Sequence, residues 1–251
     1  MSLEKATAIV LRAVPWSETS YVVTLYTREF GKVRAVAKGG RRPKGPFESA
    51  LDLLALCRVV FVRKASDALD LLTEARLERR FRPPRRELTH LYAAYYVAEL
   101  LDTLTDDYDP HITLFDAAEA ALLHLSVEGA VAPPVLRFEL LALDAVGHLP
   151  TLTTCADCGK EIGAASRVPF GPLAGGVLCT SCRLGKQHII SVSAAAIETL
   201  VRFADATSDS WRQTEIERRL LGELRGVMNR YLSHLIGHQP KMHRYLGILS
   251  D

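Results

Sequence analysis

Short apolar runs rich in β-branched and aromatic residues fill the first 80 positions, each closed by a breaker. Residues 8–14 end at Pro15, and residues 21–27 run towards Gly31. Residues 31–38 alternate cationic and small apolar side chains at first, with Val36 interrupting the cationic row, before a Gly/Pro/Arg loop at 39–46. Two longer runs, 51–64 and 69–80, are joined by an Ala-Ser-Asp turn. Runs of this length and composition, bounded by turn residues, predict five strands. Five strands suit a small closed barrel of the OB type, and an SH3-like barrel would give nearly the same count.

Pro83-Pro84 marks a change of period. Leu88, Leu91, Tyr92, Tyr95 and Ala98 recur at three- and four-residue spacing, which predicts an amphipathic helix. Asp109-Pro110 reads as the opening of a second helix running to about Leu125. Pro133-Pro134 opens a third, which Gly147 closes. Thr214 and Glu217 have the spacing of a capping box. Beyond them Ile216, Leu220, Leu224, Val227, Tyr231 and Leu235 predict one helix face, filled in by Leu221, Met228 and Leu232. Arg218, Arg219, Arg225 and Arg230 fall off that stripe, and a solvated face is expected for them. The expected division is a barrel over 1–82, helices over 83–150, a cysteine element over 151–187 and further helices over 188–251.

The chain has 251 residues, 48% of them hydrophobic, enough to build a core without disulfides. The opening MSLEKATAIVLRAV lacks the apolar core and cleavage site of a signal peptide, and no segment is long and apolar enough to span a bilayer. The expectation is an intracellular, cytoplasmic chain whose thiols face a reducing pool. Net charge is +2 but unevenly spread. Residues 1–82 hold 16 Lys/Arg against 9 Asp/Glu, residues 83–150 hold 3 against 11, and residues 151–251 hold 12 against 9. A basic opening unit beside an acidic one is the pattern of a polyanion-binding module joined to something else.

Cys155-Ala-Asp-Cys158 and Cys179-Thr-Ser-Cys182 are two CxxC pairs with 20 residues between them. Each pair can aim two sulfurs at one centre, and two pairs complete the tetrahedral thiolate shell that zinc prefers. Closing the intervening loop costs about 3 kcal/mol, whereas a structural zinc supplies about 10–16 kcal/mol. Four protein ligands leave no open position, so one structural zinc is expected; an iron–sulfur cluster is the alternative that colour would reveal. Cys57 lies in an apolar run and reads as a small buried hydrophobe.

Lys32, Arg34 and Lys38 alternate with Val33, Ala35 and Ala37, which places the cations on one strand face. The following loop adds Arg41, Arg42 and Lys44. Spacings of about 6.7 Å along a strand suit successive phosphates of single-stranded DNA. Six such contacts would give log K a slope near −4 against log salt, about −0.7 per phosphate. A solubilising strand edge is the competing explanation. Trp16, Tyr21, Tyr26 and Phe47 are the aromatics that could stack on bases or fill the core.

No phosphate-binding GxxxxGK[ST] loop, HExxH or GxSxG motif occurs, and no acidic cluster suggests two catalytic magnesium ions. His234 and His238 stand four apart without a third ligand in reach. A non-enzymatic DNA-binding protein is therefore expected. The competing readings are a nucleic-acid-modifying enzyme with a structural zinc, such as a base-excision glycosylase, and a transcription or RNA-binding regulator with an OB domain and zinc ribbon.

Four blocks of the chain resemble the bacterial RecO family of recombination-repair mediators. They are AIVLRAVPWSETSYVVTLYTREFGKVRAVAKGGRR, RFELLALDAVGHLPTLTTCADCG, FGPLAGGVLCTSC and HLIGHQPKMHRYL. The resemblance implies an α+β chain with an N-terminal OB domain, then an all-α domain carrying an inserted four-cysteine zinc-ribbon element. It implies binding of single- and double-stranded DNA and annealing of complementary strands in the bacterial nucleoid. It also implies partnership with RecR, RecF and single-stranded-DNA-binding protein to load RecA. The family's basic OB surface carries over onto Lys32, Arg34, Lys38, Arg41 and Arg42, whereas Lys44 rests on charge alone.

Overall fold

The computed structural model describes residues 2–42, 45, 47, 50–64, 68–84 and 88–246. The chain divides into two compact units, 1–129 and 130–251.

The first unit is built on β1 (Ser2–Pro15), β2 (Tyr21–Thr27), β3 (Gly31–Ala37), β4 (Leu56–Arg63) and β5 (Asp70–Arg79). These close into a barrel in the order β1-β2-β3-β5-β4, and β4 returns to β1. Only the β3–β5 seam is parallel. That order, with that seam, is the OB topology and settles what strand count left open. Closure depends on β1, whose first half pairs with β4 and whose second half pairs with β2. A register shift between Val10 and Arg12 bends the strand where it changes partners. The inward side chains include Ala6, Ala8, Ala35, Ala37 and Ala75 beside Val23, Leu25, Val59, Phe61 and Leu72. Small residues opposite large ones let so narrow a barrel fill without voids.

Two strand boundaries differ from the sequence expectation. β1 begins at Ser2 rather than residue 8, because its opening residues pair with β4 although they are mostly polar and largely exposed. β4 begins at Leu56 rather than residue 51. Leu51, Leu54 and Ala55 are buried from a turn, with Leu54 at φ 65°, so an apolar run marked burial rather than extended backbone.

Helices α1 (Leu88–Leu104) and α2 (Ile112–His124) complete this unit. The buried face of α1 is His90, Ala93, Ala94, Tyr96, Val97, Ala98, Leu100 and Leu101, whereas of the expected stripe Leu88 is 60% exposed and Leu91, Tyr92 and Tyr95 are half-buried. The helix carries large apolar residues on more than one side, so spacing alone could not tell the stripe of Tyr92 and Tyr95 from the packed side of Tyr96, Leu100 and Leu101. α2 starts at Ile112 with His111 as its cap, not at Asp109-Pro110. The Asp109 carboxylate instead meets His111 Nε2 at 2.9 Å, and the Asp109 backbone lies against Gly31. A Cβ at Gly31 would stand 2.2 Å from the Asp109 carbonyl oxygen, so only glycine admits this crossing.

The second unit holds α3 (Ala132–Ala145), a three-stranded sheet, α4 (Ala194–Ala204), α5 (Arg218–Ile236) and the short α6 (His243–Leu246). The sheet runs β7-β6-β8 from β6 (Arg167–Gly171), β7 (Gly176–Val177) and β8 (Ile190–Ser193). Gly176 admits the Thr151 backbone, whose carbonyl oxygen would stand 2.2 Å from a Cβ there. As expected, α3 opens on prolines in its first turn, and Gly147 just beyond it has positive φ.

The capping box at Thr214 does not form. Thr214 closes a 3-10 turn over Ser210–Gln213, and α5 begins only at Arg218. The buried stripe of α5 is Leu221, Leu224, Arg225, Val227, Met228, Tyr231 and Leu232, which leaves Ile216, Leu220 and Leu235 half-buried. Arg225 is therefore in the core, not on a solvated face. Its guanidinium grips fully buried Glu139 with bonds of 2.7 and 2.9 Å. Sequence periodicity cannot reveal this, because the partner that makes burial tolerable is 86 positions away. Among the described residues, no helix is long and apolar enough to cross a membrane.

Candidate metal centre and candidate nucleic-acid surface

Cys155 and Cys158 sit on a tight knuckle closed by Cys155 N–H to Lys160 O (2.7 Å) and Gly159 N–H to Cys155 O (2.8 Å). Cys179 and Cys182 form the second knuckle, turned back by Arg183 N–H to Cys179 O at 3.1 Å. An Asp157–Lys186 ion pair at 2.9 Å links the two. All four sulfurs lie within 4.8 Å of one another, and Cys158 Sγ is 3.9 Å from Cys179 Sγ. Tetrahedral zinc, with bonds of about 2.3 Å to sulfur, holds thiolates about 3.8 Å apart, so the set fits that ion. A disulfide would need about 2.05 Å, and all five cysteines are free.

The backbone prepares these thiols for a cation. Cys179 N–H points at Cys155 Sγ and Cys182 N–H at Cys179 Sγ, each at 3.4 Å. The N–H of Cys179, helped by those of Cys158 and Asp157, brings the Cys155 thiol down to about 6. Cys179 is lowered by the Cys182 N–H, while Cys182 is raised, because it is the thiol that donates to its neighbours. Cys57 stands apart as expected: fully buried, with its thiol pushed up to about 12 by burial.

The cations of β3 divide sharply. Arg34 and Lys38 are exposed, as are Arg41 and Arg42 in the following turn. Lys32 is not available to a ligand. It is 5% exposed, and its Nζ donates to the carbonyl oxygens of Asp102 (2.7 Å) and Thr105 (2.6 Å) at the C-terminal end of α1. Lys32 points out of the barrel as its spacing predicts, but the acidic segment after α1 covers that end of the strand. Lys44 lies outside the described residues.

Half of the outer barrel face is thus roofed. Tyr26 stacks on Phe115 of α2 with ring centroids 6.3 Å apart, and Tyr108 N–H donates to Lys32 O at 2.9 Å. Acidic residues of the roof pair with barrel cations: Asp116 with Arg28 (2.8 Å), Glu119 with Arg79 (2.9 Å) and Asp107 with Arg34 (3.4 Å). Part of the charge contrast between 1–82 and 83–150 is therefore answered inside the first unit. The other half of the face is open, and there the register reveals a cation that the sequence reading missed. Arg12 is exposed and aligned with Thr24, which is aligned with Arg34, so the two arginines lie in one row across three strands. Strand order is what joins them, and a local pattern carries no signal of it.

The family model described as Recombination protein O N terminal matches residues 1–81, and that described as Recombination protein O C terminal matches residues 85–244. The chain belongs to the RecO family of DNA repair proteins. The DNA repair protein RecO of Rhodopirellula baltica is 40% identical over 262 residues, covering 95% of this chain and 97% of its own. RecO of Anaeromyxobacter dehalogenans is 35% identical over 248 residues, and RecO of Symbiobacterium thermophilum 35% over 243. The alignments cover 98% and 94% of this chain, and 96% and 92% of those relatives. RecO membership accords with the OB barrel and with the four-cysteine centre described above.

Proposed function

We propose that this chain is a non-enzymatic recombination-repair mediator that binds single- and double-stranded DNA and anneals complementary strands. The observation that carries the proposal is the open half of the barrel face, where Arg12, Arg34, Lys38, Arg41 and Arg42 are exposed together. Cations at strand spacing neutralise phosphates and lower the repulsion between two backbones, and base pairing then supplies specificity. With RecR and RecF as partners, the same activity would help load RecA onto strands coated by single-stranded-DNA-binding protein in the cytoplasm. One structural zinc on Cys155, Cys158, Cys179 and Cys182 would hold the two knuckles of the second unit together.

The test is oligonucleotide binding and annealing across a salt series. Five phosphate contacts give a slope of log K against log salt near −3.5 for a single strand, at about −0.7 each. Absence of binding in dilute buffer overturns the proposal. Turnover of a damaged base, or strong preference for one sequence or for RNA, would favour the enzyme or the regulator instead.

A further inference from the structure

Of the four aromatics near the basic strand, the structure separates one from the rest. Tyr26 and Phe47 are buried, and Tyr21 is half-buried against the barrel core. Trp16 is 70% exposed. It opens the turn between β1 and β2, its backbone N–H donating to Ser20 O at 3.0 Å. That turn is tied to the arginine turn after β3 by two bonds. Arg41 N–H donates to Thr19 O at 3.0 Å, and Arg41 Nη1 donates to Ser17 O at 2.9 Å. A free indole, two arginines and Lys38 therefore share one braced corner of the barrel.

We propose that Trp16 is the base-stacking residue of this corner, taking one unpaired base of a single strand on its indole face while Arg41 and Arg42 hold the neighbouring phosphates. The inference rests on the nucleic-acid reading above and adds to it the means of telling single strands from duplex. An indole offers a flat apolar face to any base and reads no sequence, whereas a paired base keeps its faces inside the stack. Bracing by Arg41 holds the turn in place before a strand arrives, which spares the ordering cost that a loose loop would incur.

The experiment compares Trp16→Ala, Trp16→Phe and the unaltered chain, each binding an oligothymidylate and a duplex of equal length over several salt concentrations. Trp16→Ala should weaken single-strand binding about 5- to 150-fold, the range for one base stacked on an aromatic. Duplex affinity should stay within about twofold, and the salt slope should not move, because the indole carries no charge. Trp16→Phe should keep most of the affinity. The chain has two tryptophans, and Trp211 is 5% exposed, so quenching on binding should come from Trp16 and vanish in Trp16→Phe. Unchanged single-strand affinity in Trp16→Ala, or an equal loss on duplex, overturns the inference while leaving the basic face intact. If the unaltered chain binds neither probe, the nucleic-acid reading itself has failed.

Discussion

Lys32 Nζ and the carbonyl oxygen of Thr105 stand 2.6 Å apart, so a lysine of the barrel caps the end of α1. Carbonyls at a helix C-terminus lack intrahelical partners and carry partial negative charge, and a buried cation satisfies both needs. Lys32→Met should therefore lower stability by about 2 kcal/mol, the scale of a charge-assisted hydrogen bond. Oligonucleotide affinity and salt slope should remain those of the unaltered chain. Urea denaturation alongside a binding titration separates the outcomes, and a lost phosphate contact with unchanged stability would contradict the capping role.

Asp107 lies 3.4 Å from Arg34, both about half-exposed, and so competes with any phosphate for that guanidinium. Exposed pairs of this kind contribute up to about 1 kcal/mol. Asp107→Asn should tighten single-strand binding by up to about fivefold at low salt, an effect that disappears when Arg34 is replaced by alanine. Anisotropy titrations on the two single variants and the double variant give the comparison.

Arg225 and Glu139 form a buried bidentate pair. Replacing Arg225 with methionine leaves a carboxylate in the core and should cost about 3–5 kcal/mol. Adding Glu139→Leu removes that uncompensated charge and should recover most of the loss. A double-mutant cycle by thermal or urea unfolding measures the coupling; two additive losses would mean that the pair does not act as one.

Glu223 accepts from the backbone N–H of Ser193 and from Arg167 Nη2, each at 2.9 Å. Burial raises its pKa, but the Ser193 hydroxyl, which donates to the other carboxylate oxygen, together with the Ser193 N–H and the Arg167 guanidinium, outweighs burial and holds it below the ordinary glutamate value of 4.5. A depressed carboxylate gives stability that is fully present above 4.5 and is lost as pH falls through the folded-state value. Glu223→Gln should thus be less stable at neutral pH and show a flatter decline on acidification, which unfolding curves from pH 7 to 3 would reveal.

Metal removal gives a further separation. Mass spectrometry under native conditions should find one zinc per chain, and Cys179→Ser should abolish stoichiometric binding. A strong chelator should lower the unfolding temperature yet change oligonucleotide affinity less than about twofold, because every cation assigned to the site belongs to residues 1–129.

The sequence displayed the parts of this fold whose signals are local. The turn residues bounded β2, β3 and β5 to within a residue or so, and Gly147 marked the end of α3. The cysteine pairs proclaimed a common centre because CxxC is itself a folding unit. What stayed hidden was set by distant partners. Lys32 is equivalent to Arg34 in the local pattern, and only the end of α1 distinguishes it; Arg225 falls off the apolar stripe, and only its pairing with distant Glu139 puts it in the core. Arg12 joined Arg34 only through the order of three strands. Trp16 could not be told from Tyr26 or Phe47, because exposure is decided by what packs above a residue.

The most direct test of the central claim is the salt dependence of single-strand binding by Arg34→Ala/Lys38→Ala beside the unaltered chain. Loss of two phosphate contacts should reduce the slope by about 1.4 and slow annealing in parallel, with the thermal unfolding profile unchanged. An unaltered slope and annealing rate in that folded double variant would contradict the account, for the strand would then be held somewhere other than the open face of the barrel.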